Sequence, residues 1–211
     1  MDDQTKVLNL YAGIGGNRKF WTNVDVTAVE RDEKKARVYR DHFPNDEVVV
    51  TDAHKYLLNH YNEYDFIWAS PPCPTHSRIR KLGAGEGEQN DAVYPDMKLY
   101  QEILFLDGYF DGKYAVENVK PWYDPLIDAY DVGRHYIWSN FHVPDIEIPS
   151  QNNQYGSVPE WEKLYGFDLS KWDFNQSEKQ KMLRNCVHPR LGEHVFQASK
   201  DRAKQETLGA W

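Results

Sequence analysis

The chain has 211 residues, 40% hydrophobic and 27% charged, with a net charge of −8 and a pI near 5.5. This suits one globular domain with a small inserted or appended element, and the acidic balance argues against broad non-specific affinity for nucleic acid while leaving room for a local basic surface. Mean hydropathy is −0.78, no run approaches about 18 apolar residues, and Met1-Asp2-Asp3-Gln4 lacks the basic and apolar parts of a signal peptide, so a cytoplasmic chain without a membrane span is expected.

In chain order, the first strand is expected over Lys6 to Tyr11. It runs into Asn9-Leu10-Tyr11-Ala12-Gly13-Ile14-Gly15-Gly16, and a helix is expected from Gly16 to Trp21. Glycines after a strand let the backbone turn sharply and approach a ligand closely, and such a turn can hold a nucleoside or amino-acid moiety. Gly16 comes too early to be the pyrophosphate glycine of a dinucleotide-binding turn. A second strand, Val24 to Glu30, ends in an acid that can accept from both hydroxyls of a ribose. A helix over Asp32 to Phe43 and a strand over Glu47 to Thr51 follow, and Asp52 could accept from an exocyclic amine such as adenine N6. Each acid alone could equally be solvated or cap a helix; together, on successive strand ends, they favour an adenosine-type ligand. No Gly-Lys-Ser/Thr phosphate cradle occurs, which speaks against nucleotide triphosphate hydrolysis.

The strand expected over Asp65 to Ser70 ends at Pro71-Pro72-Cys73. The other cysteine, Cys186, reads as a small buried apolar side chain, and both are expected to be free thiols. After Cys73, Ser77-Arg78-Ile79-Arg80-Lys81-Leu82-Gly83-Ala84-Gly85 sets three cations among glycines, an ordinary solvated loop or one that closes on an anionic substrate. Met97, Leu99, Tyr100, Ile103 and Leu104 give Asp96 to Asp107 the apolar stripe of a helix packed on a sheet. The run Tyr114-Ala115-Val116-Glu117-Asn118-Val119 is a strand ending in a carboxylate. If it lies parallel to the Cys73 strand in one sheet, thiol and acid converge on the edge where open α/β sheets bind ligands. Another strand is expected over His135 to Phe141.

Beyond it, Pro144, Pro149, Gln151 to Gln154, Gly156 and Pro159 mark irregular chain, followed by the aromatics Trp161, Tyr165, Phe167, Trp172 and Phe174, a small lobe with something to bury. Ser177 to Gln197 reads as helical with a break near Pro189, and Ser199 to Trp211 as a terminal helix or frayed tail.

These landmarks, taken in order, resemble the cytosine-C5 DNA methyltransferases that use S-adenosylmethionine: Tyr11 to Gly16, Glu30, Asp52, Pro71-Pro72-Cys73 with Ser77, Leu99, Glu117-Asn118-Val119, Arg134 and Asn185-Cys186-Val187. The resemblance covers nearly the whole chain and implies a Rossmann-like α/β methyltransferase sheet flanked by helices, with a small irregular target-recognition lobe. The implied division is a catalytic domain over 1–141, the lobe over 142–178, and a segment over 179–211 returning to the catalytic domain.

The resemblance further implies that Tyr11, Ala12, Gly13, Ile14, Gly15, Gly16, Glu30, Arg31, Asp52 and Leu99 surround S-adenosylmethionine, later S-adenosylhomocysteine, with Asn185 and Val187 completing the pocket. No metal is implied. Cys73 would add to C6 of a cytosine flipped from DNA, Glu117 would neutralise charge at N3, Arg134 would donate to the base carbonyl, and Asn118 would hold backbone near Glu117. Ser77, Arg78, Arg80 and Lys81 would meet the substrate.

The chain departs from the family pattern in several places. Pro74, Thr75 and His76 stand where Gln and an aromatic are usual, and His76 is expected at the surface. Arg134 is one cation where two are usual, and Arg184 replaces a glycine. The stretch between Glu117 and Arg134 is short, as is the lobe. A short site, a partner subunit, or an RNA or pyrimidine nucleotide substrate would each suit so small a lobe. A catalytically silent cofactor-binding subunit is the reading from another class, and the intact Cys73 and Glu117 speak against it.

Overall fold

The computed structural model describes residues 4–78, 93–148 and 156–201. Period-two alternation builds its centre. In β1 (Thr5–Leu10), β4 (Phe66–Ala69) and β5 (Lys113–Val119), Leu8, Leu10, Ile67, Ala69, Tyr114 and Val116 point to one face, and Val7, Phe66, Trp68 and Ala115 to the other. Both faces are apolar because both are covered, as a parallel sheet requires.

With β2 (Val24–Val29), β3 (Glu47–Val49), β6 (Tyr130–Val132) and β7 (His135–Ser139), the described residues form a seven-stranded sheet in the order β3-β2-β1-β4-β5-β7-β6. The first five strands run parallel, whereas β7 lies antiparallel to both β5 and β6. The chain lays β2 and β3 on one side of β1 and then crosses to β4 on the other. The C-terminal ends of β1 and β4 therefore flank the point where strand order reverses, the usual ligand crevice of such sheets.

One face packs α2 (Ala53–His60) and α3 (Lys98–Tyr109) through Leu57, Leu99, Ile103 and Leu106. The other packs α6 (Pro189–Lys200), whose Leu191, Val195 and Phe196 meet Trp21, Phe66 and Phe141. Helix α1 (Glu33–His42) lies beside β3. Helices α4 (Val158–Tyr165) and α5 (Gln176–Arg184) gather Trp161, Tyr165, Phe167 and Leu183 into a third cluster with Ile14 of the glycine turn and Val38 of α1. The lobe thus shares its core with the glycine turn after β1.

Several expectations change. Gly16 to Trp21 forms only a 3-10 turn at Asn17–Phe20. Pro189 begins α6 rather than breaking a helix, since a first-turn proline lacks only an N–H that would have gone unpaired there. The strand over His135 ends at Ser139, before Phe141. The irregular lobe contains α4, started by a Ser157/Glu160 capping box and stopped by Gly166 in the left-handed conformation. Helix α2 and strand β6 were not expected. On α3, Leu104 and Met97 are exposed and Leu106 takes the core position. No described helix is long and apolar enough to cross a membrane. The expectations for residues 79–92, 149–155 and 202–211 lie outside the described residues.

Candidate active site

Strand β4 carries Cys73 to the sheet edge. Ser70 N–H donates to Leu10 O at 3.3 Å, extending the β1 pairing, and Asn118 Nδ2 donates to Pro71 O at 2.9 Å, tying the proline pair to β5. Asn118 therefore does hold backbone, that of the cysteine strand. The chain then turns, with the N–H groups of His76 and Ser77 both donating to Cys73 O at 3.0 Å. Val116 pairs with Ala69, so Glu117 lies one residue past the last rung shared with β4. Burial raises the Cys73 thiol's pKa, the negative charge of Glu117 raises it further, and Arg184 pulls it down. The charge of the carboxylate thus reaches the thiol.

Glu117 is 6% exposed. His135 lies on the same face of the antiparallel β5–β7 pair, two residues along from the partner of Glu117, and its Nε2 is 3.5 Å from Glu117 Oε1. Burial lowers the His135 pKa, opposed by Glu117 and reinforced by Arg134 and Lys120. Arg134 is exposed in the tight β6–β7 turn after Gly133, with Lys120 N–H donating to its carbonyl at 3.1 Å. Its charge reaches Tyr165 of α4 as well as His135, which sets it between the Glu117 strand and the lobe.

After β1, Tyr11, Gly13 and Gly15 all take positive φ (56°, 58° and 88°), giving a tight turn. Glu30 binds that turn: its Oε2 accepts from Gly13 N–H at 2.9 Å and its Oε1 from Asp32 N–H at 2.8 Å. Ala12 and Ile14 are buried beneath the turn, and Arg31 is exposed. Asp52 caps α2 by accepting from Lys55 N–H at 3.0 Å, which lowers its pKa. The capping alternative for this acid is thereby realised. Leu99 is 3% exposed in the core of α3.

The C-terminal segment does return to the turn. A Cβ at Gly16 would stand 2.2 Å from Val187 O and 2.3 Å from Cys186 Sγ. Asn185 is the C-cap of α5 and donates its N–H to Lys181 O at 3.3 Å. Cys186 sits in this contact, its thiol pushed up by burial to about 12. Gly16→Ala is therefore expected to destabilise the protein by about 1–3 kcal/mol, because backbone rather than a flexible side chain would have to move; urea unfolding measures it.

Several neighbours of these sites were not anticipated. Glu102 of α3 is fully buried; Tyr11 Oη donates to its Oε1, His54 Nδ1 lies 2.8 Å from the same oxygen, and Oε2 has no hydrogen-bond partner among the described residues. Burial raises the Glu102 pKa against the pull of those bonds. An acid inside the stripe Leu99, Ile103, Leu106 was a usable signal for it. His135, His188 and Arg184 meet the site only through pairing and helix packing, which leave no mark in spacing.

Ser77 bridges to Pro121, and exposed Arg78 donates its Nε–H to Pro121 O at 3.1 Å. Arg80 and Lys81 lie outside the described residues. His76 is a correction: it is 1% exposed, not at the surface, because both ring nitrogens find partners inside.

Residues 5–105 match the family model described as C-5 cytosine-specific DNA methylase. No curated protein matches the chain. Among solved structures, a mutant of Spodoptera frugiperda DNMT2 is similar with a TM-score of 0.61 at 14% identity, over 94% of this chain and 100% of that one. A hypothetical protein of Thermus thermophilus has a TM-score of 0.44 at 16% identity, over 64% of this chain and 74% of that one. A SAM-dependent methyltransferase from Agrobacterium tumefaciens has 0.37 at 16%, over 58% and 41%. The DNMT2 likeness bears out the fold class, and the family match bears out the resemblance over residues 5–105.

Proposed function

We propose that this chain, whose residues 5–105 carry the C-5 cytosine-specific DNA methylase match, is a DNA cytosine-5 methyltransferase using S-adenosylmethionine and a covalent Cys73 adduct. One observation carries this reading: a thiol and an acid close the C-terminal ends of the adjacent parallel strands β4 and β5, beside the glycine turn after β1.

The turn suits the cofactor. A Cβ at Gly13 would meet nothing within 4 Å among the described residues, so the turn is open to them there, while Glu30 holds it from behind with carboxylate lone pairs that suit ribose hydroxyls. Tyr11, Ala12, Ile14, Gly15, Gly16, Arg31, Asp52, Leu99, Asn185 and Val187 complete the set. The cofactor supplies an electrophilic methyl group.

Cytosine C5 is a poor nucleophile. The Cys73 thiol gives its proton to the Glu117 carboxylate, the resulting thiolate adds to C6, and the displaced electron pair of the C5–C6 double bond makes C5 nucleophilic as N3 takes that proton from Glu117. After methyl transfer N3 returns its proton to Glu117, a water molecule takes the C5 proton, the electron pair of that C–H bond re-forms the C5–C6 double bond, and the C6–S bond breaks to release the Cys73 thiolate. Arg134 donates to the base carbonyl, and Ser77, Arg78, Arg80 and Lys81 meet phosphates around the flipped base.

Labelled S-adenosylmethionine offered with duplex DNA, single-stranded DNA, RNA and dCMP tests the substrate. The expected result is label on cytosine C5 in duplex DNA. Label on RNA or dCMP instead would move the substrate to the alternative class, as the net charge of −8 permits. Cofactor binding without transfer to any of the four would make the chain a silent subunit.

A further inference from the structure

We propose that His76 is a positioning residue for Cys73, clamping the cysteine turn between the start of α3 and the β5–β6 connection, and that it does so only as a neutral imidazole protonated at Nε2. The functional part rests on the nucleophile role proposed above for Cys73; the clamp itself stands on geometry.

His76 Nε2 lies 3.1 Å from Asp96 O, and a carbonyl oxygen only accepts, so Nε2 carries the proton. Nδ1 is then an acceptor, and the Tyr123 hydroxyl, 2.5 Å away, donates to it. The ring thereby bridges two segments distant in sequence. The same three segments are joined by further bonds. Asp96 N–H donates to Thr75 Oγ1 at 2.9 Å, Trp122 Nε1 donates to Thr75 O at 3.1 Å, and Trp122 N–H donates to His76 O at 3.1 Å. His76 N–H itself donates to Cys73 O at 3.0 Å, so any shift of the ring passes to the cysteine.

A second proton on Nδ1 would face the Tyr123 hydroxyl, which would have to reverse and accept. That hydroxyl is also engaged with Tyr100 of α3. The titratable groups that act on the His76 ring are Tyr123, with Tyr100 behind it, and Asp96 from the α3 side, while the cation on its own turn, Arg78, donates to Pro121 O. Burial lowers the His76 pKa from 6.5, opposed by the Asp96 carbonyl and carboxylate. A base whose folded pKa is depressed is lost to protonation only as pH falls through that lowered value. Turnover is therefore expected to fall on the acid side, and the clamp to hold above about pH 6.5.

Three measurements on the full chain decide it. Imidazole nitrogen shifts by NMR should give the Nε2–H tautomer for His76; the Nδ1–H tautomer, or titration at or above the ordinary histidine value, would overturn the clamp. His76→Ala should lower kcat about 10²-fold with S-adenosylhomocysteine affinity within about two-fold, whereas His76→Gln, whose amide can still donate to Asp96 O, should keep more of kcat and shed the acid limb. An unchanged kcat in His76→Ala, or equal loss of cofactor affinity, refutes the positioning role. Should the parent transfer no methyl group at all, the fault lies with the proposed function. Iodoacetamide alkylation of the Cys73 peptide, followed by mass spectrometry, then decides the clamp: a changed rate in His76→Ala supports it and an unchanged rate sinks it.

Discussion

Cys73→Ser is expected to bind S-adenosylhomocysteine like the parent and to transfer methyl groups at least about 10³-fold more slowly, with no adduct on 5-fluorocytosine DNA. The two halves of that result separate because the glycine turn is held by Glu30 and Val187, not by the cysteine turn. The parent should form the adduct and stall, since fluorine at C5 does not leave as a proton does. Burial and the charge of Glu117 both raise the thiol's pKa, so adduct formation in the parent should accelerate as pH rises through neutrality and beyond. Single-turnover transfer and intact-protein mass spectrometry measure both effects. Undiminished transfer by Cys73→Ser would remove the covalent step.

Glu117→Gln should move two observables in opposite directions. Methyl transfer should fall about 10²- to 10⁴-fold, the range for losing a positioned acid. Alkylation of Cys73 by iodoacetamide should quicken at fixed pH, because the negative charge that disfavours the thiolate is gone while Arg184 still favours it. The His135 imidazole, 3.5 Å from Glu117, should also lose proton affinity in the variant, which NMR titration reads.

Much of the candidate site was legible because its residues stand at strand ends. Gly13, Glu30, Cys73 and Glu117 each follow a short apolar run, and a parallel sheet carries such ends to one edge whatever lies between. Asp52 shows the limit. Both of its readings, cap and ligand acceptor, suit the same position, and the capping bond to Lys55 is seen only in the folded chain.

His76 shows the other limit. A histidine between a cysteine turn and a cationic stretch reads as exposed on local polarity, yet Tyr123 and Asp96, 47 and 20 residues away, give its ring two partners and take it inside. The same holds for Glu102 under Tyr11 and for His135 beside Glu117, contacts made across 91 residues and across an antiparallel pair.

Local pattern was thus enough for the strands, their alternation and the reactive types at their ends, since those depend on period and short-range backbone preference. Tertiary structure decided which side chains share a proton or a charge. The strand order, the antiparallel return of β7 and the docking of Cys186 and Val187 on Gly16 bring together groups that no spacing links. Burial, which shifts Cys73, His76, His135 and Glu102 from their ordinary proton affinities, is a property of the packed whole.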